Sequence, residues 1–92
     1  MKSINWNTEK SVALKSFRGI CFENVVFFIE RGSILDDYLH PNQKDYPGQR
    51  IMVINIANYA YLIPCVENDE ELFLKTIIPS RKATQRYLGE KS

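Results

Sequence analysis

This chain of 92 residues has one histidine, two cysteines, four glycines and a formal net charge of only +1. The lone histidine, His40, lies in a proline-flanked stretch with no GxSxG or other nucleophile motif around it, so a hydrolytic triad has no second member. The glycines are too few and too scattered for a P-loop or a GxGxxG turn. Cys21 and Cys65 form no CxxC pair and have no histidine near them, which argues against a metal centre and for two reduced thiols in a reducing cytoplasm. Uninterrupted apolar runs, at 25–29 and 59–66, fall well short of the ~18 residues a membrane helix requires. Polar Ser3, Asn5 and Asn7 follow Met1-Lys2 directly, unlike a signal peptide. Carboxylates cluster only at Asp36-Asp37 and Asp69-Glu70-Glu71, which read as solvated runs rather than a glycosidase pair. Cofactor, metal and membrane chemistry are therefore not expected.

What is present is an ordinary balance for one small domain over 1–92, 45% hydrophobic and 25% charged. The charge is unevenly spread. Residues 33–74 hold seven carboxylates against two cations, whereas 75–92 hold five cations against one carboxylate. Such a basic tail can form a phosphate-binding patch that the net charge hides.

Period and punctuation divide the chain. A short strand at 4–6 precedes a helix at 8–18, capped by Asn7 or Thr8 and stopped by Gly19. Phe22, Val25, Val26 and Ile29 form the buried stripe of a second helix, 22–31, ended by Gly32. Strands follow at 34–38, 49–56, 59–66 and 72–78, the last with Leu72, Leu74, Thr76 and Ile78 on one face and Phe73, Lys75 and Ile77 on the other. The short connections at 57–58 and 67–71 imply antiparallel neighbours. A third helix, capped by Ser80, occupies 80–88. The reading is an α+β fold in the order β-α-α-β-β-β-β-α. Several strands are apolar on both faces, so part of the sheet surface is left for a partner.

The cations are the most informative side chains. Lys15 and Arg18 share a helix face, Arg50 opens a strand, and Lys75 projects from the last one. Arg81, Lys82 and Arg86 then mark the start and body of the final helix, where free backbone N–H groups favour phosphate. Trp6 is expected to pack a helix onto the sheet.

The tail Leu74-Lys75-Thr76-Ile77-Ile78-Pro79-Ser80-Arg81-Lys82-Ala83-Thr84, with Tyr87, resembles the C-terminal signature of the BrnT family of bacterial toxins. Trp6-Asn7 with Glu9-Lys10, then Leu14-Lys15, Gly19-Ile20, Phe22-Glu23, Gly48 and Arg50, are similar to further family segments in the same order. The resemblance implies a RelE-like fold, with two N-terminal helices and a C-terminal helix on a four-stranded antiparallel sheet. It implies a toxin of a type II toxin-antitoxin system that cleaves RNA without a metal. It also implies a ribbon-helix-helix antitoxin as partner, with DNA reached only through that antitoxin, and self-association into a homodimer is a further way to close exposed apolar surface. In RNA cleavage of this kind the 2′-hydroxyl attacks the neighbouring phosphate, so the protein supplies charge and proton transfer. On that reading Arg50, Arg81, Lys82 and Tyr87 are the catalytic candidates, and Lys15, Arg18, Lys75 and Arg86 contact RNA. Arg18 and Gln49 stand where the family has histidine and glutamate, which keeps a second reading open: a toxin-like module that binds its antitoxin or nucleic acid without cleaving.

Overall fold

A computed structural model describes residues 3–89. The elements are β1 (Ser3–Trp6), α1 (Thr8–Arg18), α2 (Phe22–Glu30), β2 (Ile34–Leu39), β3 (Gln49–Ile56), β4 (Tyr59–Glu67), β5 (Glu71–Leu74), β6 (Ile78–Pro79) and α3 (Arg81–Leu88).

Local chemistry sets the helix ends. Asn7 accepts from the Lys10 N–H at 2.9 Å and opens α1. Gly19 closes it at φ 72°, a left-handed conformation that favours glycine, while its N–H bonds the Lys15 carbonyl. At the start of α2 the Asn24 side chain accepts from the Cys21 N–H at 2.9 Å. Ser11, the buried polar residue of α1, accepts from the Phe22 N–H and donates to Glu23, tying the two helices together. The expected stripe of α2 is observed: Phe22 and Val25 are fully buried, and Val26 and Ile29 pack against the same core.

The sheet departs from the expected four antiparallel strands. It has six strands, in the spatial order β1-β5-β4-β3-β2, with β6 also pairing β4. β1 runs parallel to β5, Ser3 opposite Glu71 and Trp6 opposite Leu74, and the other pairings are antiparallel. The chain order is therefore β-α-α-β-β-β-β-β-α.

The extra strand arises because the expected strand 72–78 is broken in two, and Pro64 supplies the cause. Its carbonyl accepts from the Lys75 N–H at 2.8 Å, so this edge of β4 faces β5 and β6. Proline has no N–H to return across that edge, and the ladder stops. Leu74 stands opposite Cys65 and Ile78 opposite Leu62, so residues 75–77 oppose only Ile63 and Pro64. That is a one-residue bulge, and it reverses the alternation beyond it. Ile77, expected on the face opposite Leu74, is instead fully buried in the same core.

Side chains on the two faces of the sheet meet different helices. Met52, Ile54, Ile63, Cys65, Leu74 and Ile77 pack with Leu14 of α1 and Phe22 and Val25 of α2. Trp6 joins this core, its ring 6.0 Å from that of Phe22. The opposite face carries a smaller core of Val53, Ala60 and Ala83, with Tyr38, Leu62 and Tyr87 against it, and α3 is its cover. Eight residues of helix cannot span that face. Ile51, Pro64, Val66 and Phe73 stay half-buried and belong to neither core. Cys21 and Cys65 are free thiols, and burial pushes the Cys65 thiol up to about 11. Among the described residues no helix is long and apolar enough to cross a membrane.

Candidate functional site

α3 is fastened to the sheet at its first turn. Ser80 Oγ caps the helix by accepting from the Ala83 N–H at 3.0 Å, as its position suggested. Thr84 Oγ1 accepts from the buried Ala60 N–H at 2.9 Å and donates to the Ser80 carbonyl at 2.7 Å. The Ser80 N–H reaches the Ala60 carbonyl at 3.0 Å. With these bonds made, Ala83 and Tyr87, four residues apart, face the sheet. The two flanks of the helix are then set. Lys82 and Arg86 lean over β2, while Arg81, Gln85 and Leu88 lean the other way, toward Asn58.

The flank over β2 is a groove of about 460 Å³, walled by Asp36, Tyr38, Ser80, Lys82, Arg86 and Tyr87 over Val53 and Leu62. At its floor the Tyr87 hydroxyl donates to Asp36 Oδ2 at 2.5 Å, and the Asp37 N–H donates to Asp36 Oδ1 at 2.8 Å. The Tyr87 bond, that backbone bond and the nearby Arg86 charge hold the Asp36 carboxyl below the usual carboxylate range. The same bond raises the Tyr87 phenol above its ordinary range, since losing the proton would set two anions side by side. The Arg86 guanidinium stands 5.6 Å from the centre of the Tyr87 ring. At neutral pH the groove thus presents two cations, one carboxylate and the phenols of Tyr38 and Tyr87. That set suits a singly charged phosphodiester carrying hydroxyl or amino donors beside it.

The structure brings together only some of the residues expected from sequence. Lys82, Arg86 and Tyr87 share the groove. Lys75 is exposed at the bulge, beside the groove's strand β4, where its N–H bonds the Pro64 carbonyl. Arg81 lies on the far flank of α3, in a separate hollow of about 650 Å³. Arg50 is on the other side of the sheet altogether, because strand alternation groups it with Met52 and Ile54. Its Nε and Nη2 donate to Asp37 Oδ1 at 3.1 and 2.8 Å, and Nε lies 3.7 Å from Glu67 Oε1. Those neighbours keep its charge engaged across β2, β3 and β4. Lys15 and Arg18 also belong to that side, exposed on α1: Lys15 lines a hollow with Val12 and Glu23, and Arg18 lies beside Phe17 and Leu14.

Asp36 and Tyr38 are the groove residues that sequence reasoning missed. The signal was there in the strand period. Adjacent carboxylates on a strand point to opposite faces, so Asp36 and Asp37 serve different surfaces: one meets Tyr87, the other Arg50. His40 is a turn residue, its Nδ1 accepting from the Asn42 N–H at 3.0 Å and its ring 4.3 Å from that of Tyr46. Among the described residues no group of histidine, cysteine and carboxylate side chains is arranged to hold a metal ion.

No family model, curated protein or solved structure matches this chain.

Proposed function

We propose that the chain is a toxin-type endoribonuclease that cleaves RNA in the groove between α3 and β2, without a metal, and is held in check by a ribbon-helix-helix antitoxin. The observation that carries this reading is the convergence of Lys82, Arg86 and the Tyr87–Asp36 pair in one groove. The BrnT-like run around Ser80-Arg81-Lys82-Ala83-Thr84 points the same way.

The reaction needs little beyond these groups. The ribose 2′-oxygen attacks the adjacent phosphorus, the bond to the 5′-oxygen breaks, and a 2′,3′-cyclic phosphate remains. Lys82 and Arg86 stabilise the charge that grows on the non-bridging oxygens. Tyr87, kept protonated by Asp36, turns its hydroxyl to the departing 5′-oxygen and protonates it. Released from the phenol, the Asp36 carboxylate accepts the 2′-hydroxyl proton, then returns it to the Tyr87 phenolate once the products leave, which restores the pair. Each group has one proton or one charge to handle.

The test is cleavage of labelled RNA by the purified chain in the presence of a metal chelator. Cyclic-phosphate ends should appear, and Lys82→Ala and Arg86→Ala should each slow cleavage by about a hundredfold, as loss of one oxyanion donor does elsewhere. Arg81→Ala, on the other flank, should have a much smaller effect. Intact RNA beside folded protein refutes catalysis. The second reading, binding without cleavage, is favoured by one observation: Asp36 and Tyr87 are both displaced away from neutrality, the carboxyl downward and the phenol upward. Under it the chain retards RNA or antitoxin yet leaves the RNA whole, and its expression does not arrest bacterial growth.

A further inference from the structure

Among the described residues, part of the α3 side of the sheet is left only half-covered; it adjoins the groove, and the strand register lays out its surface. Tyr38 pairs with Ile51, and Ile51 with Pro64, giving one row across β2, β3 and β4. Gln49 pairs with Val66, and Val66 with Phe73, giving the next row, which ends on β5. Alternation places both rows on the side of α3, beyond the end of that short helix. The surface is apolar and aromatic, and among the described residues Ile51, Val66 and Phe73 stay half-buried and outside both cores.

Its border is cationic. Lys75 stands exposed beside Pro64, and Lys82 and Arg86 overhang the groove wall that Tyr38 shares. The strand period sends the acids Asp37 and Glu67 to the opposite face with Arg50. Among the described strand residues two carboxylates remain on this side, and both are engaged: Asp36 by Tyr87, and Glu71 at the far corner by the Asn5 amide at 2.7 Å. A flat apolar surface with aromatic rings and a cationic rim is the chemistry that receives unpaired bases and their phosphates. A duplex buries its base faces and cannot use it.

We propose that this open half-face is a stacking platform for single-stranded RNA, with Tyr38 and Phe73 receiving bases and Lys75 a phosphate. The inference rests on the groove reading and extends it, from the cleaved bond to the strand that leads into it. Tyr38 and Phe73 are three strand steps and one row apart, about 16 Å at roughly 4.8 Å per step and ~7 Å per row, so a few nucleotides span the platform. Stacking tolerates any base, so the platform confers preference for unpaired RNA with little dependence on sequence.

The experiment measures binding of the full chain to a short 2′-O-methyl RNA, which cannot be cleaved, by fluorescence anisotropy, with the duplex form as comparison. Phe73→Leu, which keeps apolar volume, and Phe73→Ala should each weaken single-strand binding by about tenfold. Lys75→Gln should flatten the dependence of log affinity on log salt by about 0.7. Phe17→Ala, on the other side of the sheet, is the control, and thermal melts establish that each variant is folded. Wild-type binding that prefers the single strand and drops in the Phe73 and Lys75 variants supports the platform. Normal binding by those variants, with loss only in Lys82→Ala, confines RNA to the groove: the platform falls and the functional reading stands. Altered sedimentation of the Phe73 variants with unchanged RNA affinity gives the face to a second copy of the chain and overturns the proposal. A wild-type chain that binds neither RNA overturns platform and groove together.

Discussion

Tyr87 and Asp36 fix each other's protonation, and the consequence for pH follows from the signs. Asp36 is held below its ordinary 3.8, so its contribution to docking α3 is complete above that value and lost as pH falls through the lowered one. Tyr87 is raised above its ordinary 10.0, so its contribution is complete below that value and lost as pH rises through the raised one. Absorbance titration of the five tyrosines should therefore show one ionising late, and Asp36→Asn should move that one back toward 10.0. An unchanged titration curve in the variant would show that Asp36 does not govern the phenol. At this scale the sequence was only partly legible. The sequence singles out Lys82, Arg86 and Tyr87, but read along the chain it also groups Arg81 with Lys82, although neighbours on a helix point about 100° apart. Once Ala83 and Tyr87 are taken as the inward pair, the two cations must separate.

Element by element, boundaries were the most legible feature, because caps and turns are local chemistry. The β3–β4 hairpin turns on Ala57 and Asn58, both left-handed at φ 55° and 67°, with Asn55 Oδ1 accepting from the Asn58 N–H. Two positive φ values define the tight turn that matches strand twist, and Ala57 takes one of them without glycine's freedom. Ala57→Gly should accordingly stabilise the protein by about 0.5–1 kcal/mol, read as a higher melting temperature. α3 behaves in the opposite sense, since its attachment leaves nothing to spare. Thr84→Val removes the acceptor of the buried Ala60 N–H and should cost about 1–3 kcal/mol, with RNA cleavage falling as the groove wall loosens. A melt unchanged by that substitution would mean that water replaces the hydroxyl. The break between β5 and β6 was not legible from its own residues, because its cause, Pro64, lies on the neighbouring strand.

For the whole molecule the decisive fact is that the sheet has two faces with separate duties. Which helix covers which face depends on pairing between distant strands, and no local pattern near residue 81 encodes it. Arg50 is the clearest case: attractive as a phosphate ligand by sequence, it sits behind the sheet in a partly exposed cluster with Asp37 and Glu67. Ion pairs at such exposure contribute about 0–1 kcal/mol, so Arg50→Ala should shift the melt only slightly and leave RNA cleavage intact. A large loss of cleavage would mean that substrate crosses to that face. The parallel pairing of β1 with β5 carries one more consequence, in time rather than space. Ser3 meets Glu71 and Trp6 meets Leu74, so β1 is synthesised well before the strand that becomes its neighbour. Closing so long a loop slows folding, and α3, with the groove's two cations, is made later still. A nascent chain holding β1 to β4 therefore carries much of the apolar core and the Asp36–Tyr38 wall of the groove, but neither of the groove's cations.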